Sequence, residues 1–571
     1  MTGPPPNKKR VIVVGAGASG MSACHALSLC PDKFDVTLYD KQCSLGGSAT
    51  SYQLPDPAKY GSQYINDGVQ GASPVFHNTF KVFESVLGFK AQEVGLQISF
   101  GKGKDTFWSN VFPSELVDRF SDDIKKFGKT LRTIKRFEVF FAVIPVHRML
   151  RLFGFSDDFG ERMVYPLVAL FFGTGNDTKH ISSAILERVF LDPSMRLFEY
   201  SEDSLLASVP TMMAFPELAR VYAAWRDEVS KNGNIRVETS REVTEIQRGT
   251  REARKAGGNI LVTSRKVDKD GKPLATGDEE ARTEVYDDLI LACDADTILK
   301  VLGKGTSWRE RKVLGSVTYK WDITSTHNDV EYMERHYQMT YDAKYNADRH
   351  DDKSKESFAF AEKNWKPLYL IKMYDDDPAL IEMSFDLTNY QPQFGGVPAT
   401  GPNEGGARSE SSAPPTERQG PQGRQGDSQE ASLSKPAPRS EGSSEQPPLS
   451  DHVFQTIFLN RDLSDKWTKD EIRADKVILE KWWKQQSHRW THYAYVVPWL
   501  WAINGKNHTQ FCGGWTLVNM HEVAIVSGYA AAYALGAPYP FQDDKECSRL
   551  FYLYNALSHL GFSNIKKALT G

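Results

Sequence analysis

Residues Gly15-Ala16-Gly17-Ala18-Ser19-Gly20 set three glycines at GxGxxG spacing, between the apolar run Val11–Val14 and a stretch of small and apolar residues through Leu29. Each glycine has its own task. Gly15 permits a tight turn, Gly17 lets backbone approach a pyrophosphate, and Gly20 allows a helix to pack closely on a strand. A helix starting here offers unpaired N–H groups and a positive dipole end to phosphate oxygens. A second apolar run, Phe34–Tyr39, ends at Asp40, where a carboxylate can accept from ribose hydroxyls. Strand, glycine turn, helix, strand and acid within about 30 residues form the βαβ unit of dinucleotide binding. Asp40 favours an unphosphorylated ribose, as in FAD or NAD, over NADP.

Two more glycine blocks follow. Leu45-Gly46-Gly47 lets backbone come close to a ligand where an NAD-only domain has no standard need for it, and Ile65–Gln70 lies just beyond. Near the C-terminus, Phe511-Cys512-Gly513-Gly514-Trp515, Asn519-Met520-His521-Glu522 and Ala524–Ala531 read as strand, glycine turn and small-residue helix. That helix start could face a developing negative charge.

With the strand end Leu291-Ala292-Cys293-Asp294-Ala295-Asp296, these blocks resemble the flavin-containing amine oxidase and phytoene desaturase superfamily in order and spacing. The resemblance spans essentially the whole chain outside 399–450. Gly154–Phe159, Tyr165-Pro166-Leu167, Val313-Leu314-Gly315 and Asn389-Tyr390-Gln391 resemble landmarks of its predicted FAD-binding amine oxidoreductases. The resemblance implies an α/β fold, with a Rossmann-type FAD-binding domain interleaved with a mixed β-sheet plus helical substrate domain. It implies FAD, with Gly15, Gly17, Ser19 and Gly20 on the pyrophosphate and Asp40 on the adenosine ribose. Gly46 and Gly47 would line the flavin side, Gln70 would join the FAD-binding set, and Val243 would meet adenine through its backbone. Gly514, Asn519, His521 and Glu522 would sit near the pyrophosphate, the ribitol and the N1–C2=O edge, where the helix dipole stabilises a reduced flavin.

Departures from the family pattern narrow these expectations. Ser48-Ala49-Thr50 stands where the family often carries an arginine, and Gly513-Gly514 replaces a Gly-Glu pair, so amine specificity stays open. Residues 470–510 contain no cysteine for a flavin link, so dissociable, non-covalent FAD is expected. Cys512 reads as a small packed residue. Three side chains are candidates for catalysis. Lys320 lies near the segment where amine oxidases carry a lysine at flavin N5, and a plain surface lysine is the competing reading. His492 and Tyr493 lie in the aromatic, basic stretch His488–Tyr495, from which the family's substrate cavity draws, and core packing competes with that role.

The expected activity is hydride removal from a substrate C–H to flavin N5, either amine oxidation or desaturation of a hydrophobic substrate. Electrons would pass to O2 or another acceptor. Two alternatives use the same scaffold: redox-neutral double-bond isomerisation of a polyene or fatty-acid-like substrate, and non-catalytic binding.

The elements that must position these residues are spread along 571 residues. The expected segments are FAD-binding at 8–75, mainly helical at 76–230, FAD-binding again at 231–305 and substrate-domain sheet at 306–398. They continue as a disordered insertion at 399–450, substrate-domain sheet and cavity at 451–505, and an FAD-binding block at 506–571. Ala399–Ser450 has no aromatic residue and is rich in Ser, Pro, Gly, Gln, Glu and Arg, too polar to offset chain ordering.

Composition excludes several classes. An apolar share of 40% supports a core, and a net charge of −4 argues against nucleic-acid binding. Six scattered cysteines with no CxxC pair argue against a disulfide scaffold, and no metal site is expected. Met1–Arg10 lacks the apolar centre of a signal peptide, so a cytoplasmic protein is expected. The apolar run around Phe137–Val146, broken by Glu138, Pro145 and His147, is too short to span a bilayer, and the apolar helices around Phe137–Gly173 leave a greasy substrate, peripheral membrane contact and core packing all open.

Overall fold

The computed structural model describes residues 8–172, 175–268, 271–274, 281–396 and 447–560. The expected insertion therefore lies outside the described residues except for 447–450, part of which forms the 3₁₀ turn Leu449–Asp451. The strands flanking it, Ile381–Asp386 and Phe454–Phe458, are antiparallel neighbours, with Met383 opposite Ile457.

A five-stranded sheet gathers its strands from both ends of the chain, in the order Ile235–Glu238, Phe34–Tyr39, Lys9–Val14, Asp288–Leu291 and Thr509–Phe511. All of its pairings are parallel. The central strands are continuous apolar runs because both faces are covered, and Val11, Ile12, Val13, Leu289, Ile290 and Leu291 are fully buried. Helix Ala18–Ser28 follows one of these strands and helix His521–Ala534 follows another. The two helices press together at Gly528, where a Cβ would lie 2.0 Å from the Ser19 carbonyl oxygen.

A seven-stranded mixed sheet runs in the order Val477–Gln486, Tyr319–His327, Phe454–Phe458, Ile381–Asp386, Tyr369–Met373, Ile98–Phe100 and Trp108–Ser109. Helices Ser121–Arg136, Val146–Leu152 and Ser183–Leu191 form a helical layer. The expected α/β architecture is observed: a Rossmann-type parallel sheet interleaved in sequence with a mixed sheet and helices.

A three-stranded antiparallel sheet, Arg241–Arg248, Ile260–Lys266 and Ala281–Tyr286, is tied to its surroundings by a buried ion pair. Arg248 donates from both terminal nitrogens to Glu310, at 2.7 and 2.8 Å, and also to the Gly305 carbonyl and to Thr509 Oγ1. Glu310 closes the capping box of helix Trp308–Leu314 with Ser307. Burial pushes its carboxyl up, but the Arg248 hydrogen bonds and charge outweigh this and hold it below the usual range. The pair's contribution is thus complete above pH 4.5 and is lost as pH falls through the lowered folded value. Arg248→Met, which strands Glu310, is expected to cost about 3–5 kcal/mol. The measurement is the urea midpoint at pH 7, and an unchanged midpoint would refute the assignment.

Candidate functional site

A cavity of about 380 Å³ opens at the carboxyl ends of the parallel strands, walled on its far side by the mixed sheet. This is where a doubly wound sheet binds ligands. The glycines divide the construction among them. Gly15 has φ +107°, and a Cβ there would lie 2.5 Å from the Ala292 carbonyl oxygen. A Cβ on Gly20 would lie 1.8 Å from the Gly15 carbonyl oxygen, so the helix start presses directly on the turn. Gly17 differs. A Cβ there would meet nothing closer than 3.8 Å, because it would enter the cavity.

Gly17 is the N-cap of helix Ala18–Ser28 and offers no side-chain cap, so the first-turn N–H groups are left for a ligand. Gly46 N donates to the Ala16 carbonyl at 3.0 Å, and Gly47, at φ +64°, would bring a Cβ within 3.4 Å of Gly17 Cα. Two backbone segments without side chains therefore lie side by side at the edge of the cavity, a cradle that any Cβ would fill. Helix His521–Ala534 adds a second uncapped start, with Met520 as N-cap and Asn519, Met520 and His521 on the wall. These residues fit the pyrophosphate of a dinucleotide.

The remaining expected residues divide between the wall and the layer behind it. Ser19, Gly514, Asn519 and His521 are on the wall. His521 bonds Tyr222 Oη at 2.8 Å and Thr79 Oγ1 at 3.2 Å, and burial pulls its pKa to about 4, so it is neutral at pH 7. Asp40 is not on the wall. It braces the glycine turn, accepting from Ala16 N at 2.6 Å and Gln42 N at 2.7 Å, and burial raises its pKa against those bonds. Arg241 N donates to the Asp40 carbonyl at 2.8 Å, which brings the strand carrying Val243 alongside, yet the Val243 side chain is buried in the core. Gln70 lies behind the wall and donates to Gln455, which lines it, at 2.7 Å.

Glu522 does not face the cavity either. Its oxygens accept from the backbone and side chains of Asn78 and Thr79, four bonds of 2.8–2.9 Å that saturate the carboxylate. None of the three catalytic candidates lines the cavity. Lys320 is held outward by Asp462 at 3.7 Å. Helix Trp490–Tyr495 turns His492 and Tyr493 into the core, where His492 bonds Gln486 and Tyr493 donates to the Leu517 carbonyl.

The family model of the NAD(P)-binding Rossmann-like domain matches residues 13–80. A search of curated proteins finds no match. Among solved structures, a protein reported as a protoporphyrinogen oxidase from Exiguobacterium sp. 255-15 superposes with TM-score 0.51 at 11% identity, covering 93% of this chain and 99% of that one. A mutant of a putrescine oxidase gives the same TM-score, 0.51, at 11% identity, with the same coverage of 93% and 99%. The chain shares the overall fold of these two oxidases.

Within this amine-oxidase-like fold, the mixed-sheet wall carries residues that the sequence did not single out. Lys484 contacts Asp294 at 2.9 Å and both oxygens of Asp296 at 2.6 and 2.8 Å, and lies 4.6 Å from the Tyr319 ring centre. Burial pulls the Lys484 ammonium down, but Asp294 and then Asp296 outweigh it and hold it above the usual range. Asp67, also on the wall, pairs with Lys481 at 2.9 Å. Gln486, also on the wall, bonds His492 through Nε2 at 3.1 Å, and its Oε1 is buried with no protein partner among the described residues. The only sequence signal for this wall is the acidic strand end at Asp294 and Asp296, which needs a cation opposite.

Proposed function

We propose that this protein is an FAD-dependent oxidoreductase that takes hydride from a C–H bond of a largely hydrophobic substrate. The observation that carries the reading is that two uncapped helix starts, Ala18–Ser28 and His521–Ala534, border one cavity that Gly17 and Gly47 also line. Bound flavin would supply the hydride-accepting centre. The chain's residues do the rest. First-turn N–H groups of helix Ala18–Ser28 bind phosphate oxygens, and Gly17 and Gly47 leave them room. The start of helix His521–Ala534 places a positive dipole end where negative charge develops, and neutral His521 holds that start to Tyr222 and Thr79.

Substrate preference follows from the opposite wall. Tyr369, Met383, Phe385 and Ile457 form an apolar surface that excludes water. The two carboxylates on the wall, Asp67 and Asp294, are already paired with Lys481 and Lys484, which leaves no free anion for an ammonium substrate. This favours carbon–carbon desaturation over amine oxidation. Cys293 also lines the cavity, but burial pushes its thiol far up, out of the reactive thiolate range, in keeping with a dissociable flavin.

The test is the visible spectrum of the purified protein, before and after heat precipitation. Flavin bands that pass into the supernatant support the reading, and colour retained in the pellet overturns the dissociable cofactor. A colourless protein that takes up no added FAD would point instead to a non-catalytic binding role. Substrate turnover without O2 uptake or acceptor reduction would point to isomerisation.

A further inference from the structure

Exposed apolar side chains gather in one short stretch. Phe137, Val139, Phe140, Val143 and Leu152 are 55, 80, 61, 41 and 62% exposed, while Phe141, Val146, Met149 and Leu150 between them are buried. The stretch runs from the end of helix Ser121–Arg136 through the short helix Glu138–Phe141 to helix Val146–Leu152. Its inner side is anchored in the core and its outer side forms an apolar ridge. A protein does not leave such a patch in water without use for it.

The ridge is bordered by positive charge. Residues 125–152 hold eight lysines and arginines and one acid, in a chain whose net charge is −4. Lys125, Lys129, Arg132 and Arg136 are exposed on a single stripe of their helix, and Arg148 and Arg151 are exposed beyond the ridge. Most of the acids near it are engaged, Asp122, exposed one turn before Lys125, being the exception on the stripe. Glu138 is held by Arg188, Asp123 by Lys126, Asp157 by Arg151, and Asp158 by Arg119 and Arg162.

We infer that this ridge docks on an anionic lipid surface. Phe137, Val139, Phe140 and Leu152 would enter the headgroup boundary while the cationic stripe meets lipid phosphates. Among the described residues no helix is long and apolar enough to cross a membrane. A second copy of the chain fits poorly, because a two-fold pairing of this face sets like charges against each other. The inference does not depend on the proposed cofactor.

Flotation with phosphatidylcholine vesicles, with and without phosphatidylserine, tests it. The full chain is expected to float only with the anionic vesicles and to be released by salt. Val139→Ser with Phe140→Ser should weaken binding about 100-fold, and Arg132→Gln with Arg136→Gln about 30-fold. All four positions are exposed, so circular dichroism should be unchanged. Equal binding to neutral vesicles, no binding to either, or indifference to both variants overturns the inference. So does a dimer in gel filtration that Val139→Ser with Phe140→Ser makes monomeric, since the occupant would then be a second copy.

Discussion

Gly17→Ala is expected to leave the protein folded while weakening flavin binding about 10- to 100-fold, whereas Gly20→Ala should lose both stability and flavin. The two glycines stand three residues apart in one motif, but their surroundings are opposite. Gly17 has φ −74°, which alanine adopts freely, and the new methyl would have nothing within 3.8 Å. The folded apoprotein should therefore change by less than about 1 kcal/mol, the usual scale of an N-cap exchange. That methyl would occupy the cradle beside Gly47, where the phosphates must approach the first-turn N–H groups. At Gly20 the methyl would sit 1.8 Å from the Gly15 carbonyl oxygen, and backbone cannot yield there without moving the turn off Ala292. Overpacking of that kind costs about 1–3 kcal/mol or more, exceeding the roughly 1 kcal/mol alanine gains as a helix former. Flavin content by absorbance and urea midpoints, measured on both variants, separate the effects. Wild-type flavin affinity in Gly17→Ala would mean that the pyrophosphate does not sit at this helix start.

The same contrast explains what was legible in the sequence. The parallel strands and the glycine turn are local: Val11–Val14, the GxGxxG block and Phe34–Asp40 carry their signal in consecutive residues. The C-terminal glycine turn and its helix are local in the same sense. The mixed-sheet wall is not. Lys484 meets Asp296 across 188 residues of sequence, and Lys481 meets Asp67 across 414. Strand Val477–Gln486 is mostly half-buried, so alternation along it does not say which lysine faces the cavity. Glu522 shows the converse limit. Its place at a helix start is evident from sequence, yet its carboxylate is engaged by Asn78 and Thr79, more than 440 residues away. Lys320 and the His492–Tyr493 pair have the residue types that chemistry needs, but their orientation is set by contacts with Asp462, Gln486 and Leu517 that no helical or strand periodicity reports, even where, as with Gln486 and His492, the partner is six residues away.

Between pH 6.5 and 4 the fold is expected to lose stability steeply. Burial pulls the pKa values of His25, His521 and His559 to about 4, and those of His327, His488 and His492 to about 3, against an ordinary 6.5. In this window the unfolded chain binds protons that the folded chain refuses. Stability therefore falls as pH falls, by about 1.4 kcal/mol per pH unit for each histidine. Several groups oppose the trend. Burial raises Asp322 and Glu187 to about 7, so they hold protons in the folded state and stabilise it as pH drops, and Asp40, Glu217 and Glu522 shift in the same sense. His452 differs from the six. Burial lowers its pKa, but the hydrogen bond and charge of Asp386 outweigh that and raise it, so its contribution is complete below pH 6.5 and lost only as pH rises. Six histidines against the two strongly raised carboxylates leave a slope of about 5–6 kcal/mol per pH unit at most, which Asp40, Glu217 and Glu522 reduce further. Against a total stability of about 5–15 kcal/mol, the loss is a large fraction, and urea midpoints should fall steadily from pH 7 to pH 5. His327 offers a single-site check. Its Nδ1 accepts from Asp329 N at 3.2 Å and its Nε2 donates to Thr456 Oγ1 at 2.9 Å, a pairing open only to the neutral ring. His327→Asn should lower stability at pH 7 yet flatten the acid slope by about 1.4 kcal/mol per pH unit. Equal urea midpoints for the wild-type protein at pH 7 and pH 5 would show that these histidines do not govern its acid stability.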